Sequence, residues 1–282
     1  MPLHGAIAAA VTPLRDGGLH LHEEGVQKLT AFLAGGGVDG VLACGTTGEG
    51  VLLSVAERRR MTELFMQARP DGFQVAVHAG AQTTADTVAL ATHSLEVGVD
   101  AVAVIAPPYF PLDEEELFRH MTAAAAACNP VAFYVYEFSG RSGYAIPPAV
   151  IERLRKSAPN LRGLKVSDSP FNAIEPYLGF DGLDVFIGQE PLTLAGIQRG
   201  AIGSVSGLAS AWPKVVASLV HDRSKAAGAR VMELRSGLQG IPFHAAIKEV
   251  LVDIGVLEDA SVRPPLRGLT DEERSRVLAL GL

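Results

Sequence analysis

The chain has 282 residues, 48% of them hydrophobic and 20% charged, which supplies a full apolar core and excludes a disordered polypeptide. A formal net charge of −7, with Arg58–Arg60 as the one basic run, excludes the broad basic surface of a nucleic-acid partner; Glu57 and Glu63 flank that run, which reads as a solvated helix face. No apolar run approaches the ~18 residues of a membrane-spanning helix, the N-terminus lacks the basic region of a signal peptide, and the two cysteines, Cys44 and Cys128, form no CxxC pair and no disulfide framework. The expected location is the cytoplasm, with no membrane partner.

Short apolar runs then alternate with segments of helical period. A strand is expected at 5–11 (GAIAAAV) with a helix at 22–35, and a strand at 38–43 (VDGVLA) with a helix at 54–68. That second helix starts on Ser54 and Glu57, a capping box. Strand 74–78 (QVAVH) leads to helix 83–97, and strand 101–105 (AVAVI) to helix 113–127, whose first turn is acidic from Asp113 to Glu116. Strand 131–136 (VAFYVY) leads to helix 147–156, which opens on Pro147-Pro148. Strands 161–166 (LRGLKV), 184–187 (DVFI) and 201–205 (AIGSV) complete the series, with helical stretches at 169–178 and 191–199 between them.

Strands this continuously apolar belong to parallel sheets buried on both faces. Eight β-then-α units predict an α/β fold, a (β/α)8 TIM barrel. A doubly wound sheet is the alternative, but its GxGxxG fingerprint is missing after the first strand. Beyond residue 205 only helical pattern remains, at 212–220, 224–236, 242–254 and 271–280. The expected division is a catalytic barrel over 1–222 and a C-terminal helical extension over 223–282.

In such a barrel the chemistry sits at the C-terminal ends of the strands. Lys165 ends the sixth strand, in a run otherwise built for burial. Burial disfavours an ammonium, and a neutral amine attacks carbonyls to form Schiff bases. A lysine leaving the strand end for solvent, or paired with Asp168, would account for it equally simply. Gly45-Thr46-Thr47-Gly48-Glu49 after the second strand offers backbone N–H groups and two hydroxyls to a carboxylate, or is an ordinary turn. Tyr136 could relay a proton or belong to the rim, and Arg141 could bind a substrate carboxylate or a surface acid. His78 could line the site or be a satisfied structural histidine. His20 and His22 lack a third ligand, so no metal is expected.

Taken together, GTTGE after the second strand, Tyr136 five residues before Arg141-Ser-Gly, and Gly163-Leu-Lys165 resemble the dihydrodipicolinate synthase / N-acetylneuraminate lyase family. Pro107-Pro108-Tyr109, Gly200-Ala-Ile-Gly-Ser204 and Val262-Arg-Pro-Pro-Leu266 extend that resemblance over essentially the whole chain. It implies a class I lyase that binds pyruvate or another 2-keto acid as a Schiff base on Lys165, without metal or organic cofactor. Tyr136 and Thr46 would relay protons, Thr46 and Thr47 would bind the keto-acid carboxylate, and Val205 would line the pyruvate pocket. Tyr109 would reach into a neighbouring subunit of a homotetramer built as a dimer of dimers.

The departures bear on the substrate. Family members commonly read Tyr-Asn-x-Pro after the fifth strand, where this chain reads Tyr136-Glu137-Phe138-Ser139; Glu137 is accordingly expected among the substrate-binding residues, altering the polarity of the site or the turn that presents it. Arg141 matches the arginine with which the synthases hold aspartate semialdehyde, whereas Gly188-Gln189-Glu190 resembles the lyases' site for sugar hydroxyls. The expected function is an aldolase or dehydratase acting on a 2-keto-3-deoxy sugar acid or related 2-keto acid. Its alternatives are 4-hydroxy-tetrahydrodipicolinate synthase and a non-catalytic keto-acid-binding protein.

Overall fold

Eight short strands, almost wholly buried, form one closed parallel barrel in the computed structural model, which describes residues 2–282. They are β1 (Gly5–Ala9), β2 (Gly40–Ala43), β3 (Gln74–His78), β4 (Ala101–Ile105), β5 (Ala132–Glu137), β6 (Leu161–Val166), β7 (Asp184–Ile187) and β8 (Gly203–Ser206). Closure is made by β1, where Ile7 is the register partner of both Val205 and Gly40. A closed ring leaves no unpaired strand edge.

Helices follow the strands and cover the barrel: α1 (Glu23–Gly35), α2 (Val55–Ala68), α3 (Thr84–Val97), α4 (Glu114–Cys128), the short α5 (Ser139–Ser142), α6 (Pro148–Ser157), α7 (Phe171–Ile174), α8 (Thr193–Gln198) and α9 (Pro213–His221). The capping box at Ser54 and Glu57 is present, and Asp113 with Glu116 makes another. Three further helices close the chain: α10 (Lys225–Gly237), α11 (Phe243–Asp253) and α12 (Asp271–Leu278). None of the described helices is long and apolar enough to cross a membrane.

Side chains alternate across each strand, and the two faces have different neighbours. Ile7, Ala9, Leu42, Ala76, Ala103, Tyr134, Phe186 and Val205 fill the interior of the barrel. The opposite faces pack against the helices in the larger core. Tyr134 closes the lower end, its hydroxyl accepting from the Leu3 N–H at 3.1 Å. Two residues on, Tyr136 takes the same inward direction at the upper end, and Lys165 is the register partner of both Tyr136 and Phe186.

Three local expectations need correction. The stretch expected as helix 169–178 is a single α turn followed by a 3-10 turn over Glu175–Tyr177, because Pro176 has no N–H to continue the ladder. Pro191 likewise sets a 3-10 turn, Glu190–Leu192, ahead of α8. Arg58 is buried rather than solvated: its guanidinium donates to the carbonyls of His78 (2.5 Å) and Gly80 (3.0 Å), tying α2 to the end of β3. Arg60 keeps the expected surface role, paired with Glu23 and Glu63. Cys44 and Cys128 are free, buried thiols, pushed up by burial to about 11 and about 12.

Candidate active site

A cavity of about 320 Å³ opens at the C-terminal end of the barrel, and Lys165 lies on its wall with Tyr136, Thr46, Thr47, Val205 and Gly188. An apolar groove of equal volume lies elsewhere, beside Phe32, Trp212, Pro213 and Leu282. It lacks the convergent polar groups of a site.

Lys165 is 6% exposed, and its ammonium stands 3.9 Å from the centre of the Tyr136 ring. That cation–π contact replaces an ion pair: among the described residues no carboxylate lies within bridging distance of the ammonium. Asp168 is engaged elsewhere, so the plainer account of Lys165 as its partner does not hold. The Tyr136 hydroxyl meets Thr46 Oγ1 at 3.2 Å. Lysine, phenol and threonine hydroxyl therefore share one corner of the cavity.

The turn that carries Thr46 and Thr47 is folded tightly on itself. A side chain at Gly50 would meet the Cys44 carbonyl at 1.8 Å, so only glycine lets the chain pass there. Thr12 Oγ1 donates to the Gly48 carbonyl (2.6 Å), and the His244 ring donates from Nε2 to the Thr46 carbonyl (2.9 Å). Glu49 points away from the cavity to a buried ion pair with Lys248 at 2.6 Å. At the end of β7, a side chain on Gly188 would lie 1.9 Å from Ser167 Oγ, so glycine permits the approach of the two strand ends.

His78 packs its edge on the Tyr136 ring, with centroids 5.8 Å apart. Its Nδ1–H donates to the Cys44 carbonyl (3.3 Å) and its Nε2 accepts from the Ile105 N–H (3.4 Å). Burial, then the charges of Arg58 and Lys165, push its imidazolium form well below the usual range. His78 is thus a neutral, satisfied histidine that holds the tyrosine ring.

Two expected substrate ligands turn away from the cavity. Glu190 is wholly buried: Oε1 accepts from Ser206 Oγ (2.7 Å) and the Leu208 N–H (3.1 Å), and Oε2 accepts from Arg235 Nε (2.9 Å). Burial opposes its charge, but Arg235 and these donors outweigh it and hold the carboxyl below its usual value. Both oxygens are consumed, which leaves none for a sugar hydroxyl.

Glu137 faces outward from β5, as strand alternation next to an inward Tyr136 requires. It accepts from the Ile146 N–H at 2.8 Å. Burial, then the neighbouring Asp168 carboxyl, push Glu137 up to about 8. Asp168 clamps α5, accepting from the Ser139 N–H and hydroxyl (both 3.0 Å) and the Gly140 N–H (3.3 Å). The clamp presents Phe138 and Arg141 to the cavity.

A pH dependence follows from this pair. Glu137 keeps its proton to about pH 8 in the folded chain and releases it near 4.5 when unfolded. Across that window the native state holds the extra proton, so stability declines as pH rises. Glu137→Gln imitates the protonated acid, and its urea midpoint should decline less between pH 4.5 and 8 than that of the unmodified protein. Parallel profiles for the two proteins would contradict a raised Glu137.

The remaining expected residues lie at the mouth. Arg141 is exposed on the cavity wall, its guanidinium 5.6 Å from the Phe138 ring. Tyr109 is 81% exposed and away from Tyr136, in a left-handed conformation (φ 86°) that is costly for a bulky residue. Sequence reasoning missed the wall supplied by α10, α11 and the turn between them: Arg235, Leu238, Gln239, Phe243 and His244. They lie in the segment expected as an extension, and no local pattern marks them.

Comparison with known proteins places this geometry in context. The sequence profile described as the dihydrodipicolinate synthetase family matches residues 2–280. A 4-hydroxy-tetrahydrodipicolinate synthase of Thermus thermophilus is 32% identical over 97% of this chain and 93% of its own length. The Proteus mirabilis N-acetylneuraminate lyase superposes with a TM-score of 0.90 at 28% identity, covering 99% of this chain and 97% of its own. The catalytic lysine mutant of the Ruminococcus gnavus sialic acid aldolase gives 0.91 at 28% identity, covering 98% and 94%.

Proposed function

The chain belongs to the dihydrodipicolinate synthetase family, and from that premise we propose that it is a class I lyase, an aldolase or dehydratase of a 2-keto-3-deoxy sugar acid or related 2-keto acid. The observation that carries this reading is the buried Lys165 ammonium, without an ion-pair partner among the described residues, beside the Tyr136–Thr46 hydrogen bond. A binding protein has no use for a nucleophile and a proton relay in one corner. The similarity to the Ruminococcus gnavus sialic acid aldolase, an enzyme with a catalytic lysine, supports the same assignment.

In this mechanism Thr46 and Thr47 receive the substrate carboxylate, with Val205 and Gly188 forming the wall beside the three-carbon end. The Lys165 amine adds to the keto carbon and gives a carbinolamine. Tyr136 and Thr46 carry a proton from nitrogen to the oxygen, which leaves as water as the C=N bond forms. The protonated imine then accepts the electron pair of the C3–C4 bond, as Tyr136 takes the C4 hydroxyl proton and the C4 fragment leaves as an aldehyde, or that of a C3–H bond, whose proton passes to the same relay; either step produces an enamine. Protonation of that enamine at C3 completes cleavage, departure of the C4 hydroxyl as water completes dehydration, and in either case water then adds to the imine carbon and frees the 2-keto acid and the Lys165 amine. Every group in this sequence is a side chain, water or the substrate itself, so the reading requires no cofactor.

Pyruvate followed by borohydride should leave a reduced adduct on Lys165, located by peptide mass spectrometry and absent from Lys165→Ala. A folded protein without that adduct would overturn the lyase reading. Saturable pyruvate binding that survives Lys165→Ala would point to the keto-acid-binding protein instead. Arg141 favours one second reading, the synthase, and efficient condensation of pyruvate with aspartate semialdehyde alongside inert 2-keto-3-deoxy acids would establish it.

We also assign the enzyme to the cytoplasm, consistent with two unpaired thiols, and to a homotetramer built as a dimer of dimers. Tyr109, Phe110, Val51 and Leu266 expose 81%, 70%, 67% and 37% of their surface on the mouth side of the barrel, an apolar face suited to a second copy. Sedimentation should give a four-subunit mass. Tyr109→Phe should reduce turnover about tenfold or more without changing that mass; full activity would remove Tyr109 from the relay.

A further inference from the structure

We propose that Glu137 and Asp168 share one proton, and that this proton holds α5, with Phe138 and Arg141, against the cavity. Glu137 is then a positioning residue for the mouth. The two carboxyls come from neighbouring strand ends, since the register partner of Glu137 is Val166, two residues before Asp168. They are 1% and 8% exposed and within hydrogen-bond reach of each other. Among the described residues neither has an ion-pair partner. Two carboxyls this close, shut away from water and without a cation, cannot both be charged. One proton between them turns repulsion into a hydrogen bond.

The distribution of donors places that proton. Asp168 accepts three hydrogen bonds, from the Ser139 N–H and hydroxyl (both 3.0 Å) and the Gly140 N–H (3.3 Å). Glu137 accepts the Ile146 N–H at Oε2 (2.8 Å), and its buried Oε1 meets no donor among the described residues. Hydrogen bonds to a charged form favour it, so Asp168 carries the charge and Glu137 Oε1 carries the proton. The other titratable groups facing Glu137 are the phenols of Tyr144, beyond α5, and Tyr177, in the 3-10 turn. Both donate elsewhere, to the carbonyls of Pro107 (3.0 Å) and Ile146 (2.9 Å). Neither supplies the missing proton.

The pair grips one short stretch from both ends. Asp168 holds residues 139 and 140 at its start, and Glu137 holds residue 146 at its close. Between them α5 is four residues long, with Gly140 and Arg141 exposed, so little other burial fixes it. When Glu137 loses its proton the carboxylates repel, and this stretch is what yields. The closed mouth keeps the proton up to about pH 8, whereas an opened one releases it in the ordinary carboxyl range. Opening therefore becomes easier as pH rises between those limits and no easier beyond them. An amide at position 137 would donate to Asp168 at every pH. None of this depends on the chemistry at Lys165.

Amide hydrogen exchange on the full chain, from about pH 6 to about pH 9 and corrected for the intrinsic pH dependence of exchange, tests the shared proton. Protection of residues 138–146 should fall about tenfold for each pH unit up to about 8 and then level off. It should stay below that of β1 throughout, because α5 opens without the barrel. In Glu137→Gln the amide stands in for the protonated acid, and protection of the same segment should not change with pH. Protection independent of pH in the unmodified protein, a parallel fall in the folded variant, or protection equal to that of β1 at every pH would each overturn the proposal. Borohydride trapping with pyruvate is scored separately. An adduct on Lys165 with flat exchange removes only the shared proton, whereas a pH-dependent segment without an adduct removes only the lysine chemistry.

Discussion

Tyr136→Phe is expected to lower turnover by roughly two to four orders of magnitude while leaving the fold intact, the usual range for a positioned proton-transfer group. The ring is 1% exposed, and phenylalanine preserves its packing against His78 and its contact with the Lys165 ammonium. What disappears is the hydroxyl that touches Thr46 Oγ1 at 3.2 Å. Without it a proton has no short route between the nitrogen on Lys165 and the departing oxygen. The loss should fall on kcat, with KM for the keto acid changing little, because the carboxylate turn is untouched. Borohydride trapping at a fixed time should yield less adduct for the same reason. Turnover within threefold of the unmodified enzyme would show that the relay runs through another group.

Lys248→Met is expected to cost about 3–5 kcal/mol of stability, the range for removing one member of a buried ion pair. Lys248 and Glu49 meet at 2.6 Å with both side chains at 0% exposure. Burial pushes the lysine down from its ordinary range, and Glu49 opposes that shift. Lys248 also donates to the Ser261 carbonyl (2.7 Å), and Glu49 accepts the Arg263 N–H (2.6 Å). The pair therefore ties the Thr46–Thr47 turn to α11 and to the chain beyond it. The single variant leaves a buried carboxylate with no countercharge, so thermal unfolding should move down by roughly 10 °C. Lys248→Met/Glu49→Gln removes the charge, keeps an acceptor for Arg263 and should recover most of that loss. The single variant should also raise KM for the keto acid, since the carboxylate turn loses its anchor. A single variant within about 1 kcal/mol of the unmodified protein would refute the argument.

Each strand of the barrel was legible in its residues for one reason. A parallel strand covered on both faces must be apolar along its whole length, and runs such as AVAVI and QVAVH have no other common use at that size. Lys165 was legible by contrast, as a cation in a run that leaves no solvent for it. The turn GTTGE was legible because glycine and hydroxyl residues between a strand and a helix have few alternative purposes. Where the expectations went astray, the local pattern was ambiguous. Arg58 belongs to a surface-like run of arginines, and only the arrival beside α2 of the carbonyls of His78, at the end of β3, and of Gly80, just beyond it, makes burial favourable for it. Glu190 resembles a polyol ligand until Arg235, 45 residues further on, takes its second oxygen.

The sequence by itself determined the barrel, its lysine and its carboxylate turn, because hydrophobic period and turn chemistry act over a few residues and are written locally. The tertiary structure alone decided the far wall of the cavity. Arg235, Gln239, Phe243 and His244 reach the site only because α10 and α11 fold back over the mouth, and no local spacing encodes that return. The charge of that wall is likewise a tertiary property, since it depends on which carboxylates are consumed in burial and which guanidinium edges are left facing the cavity.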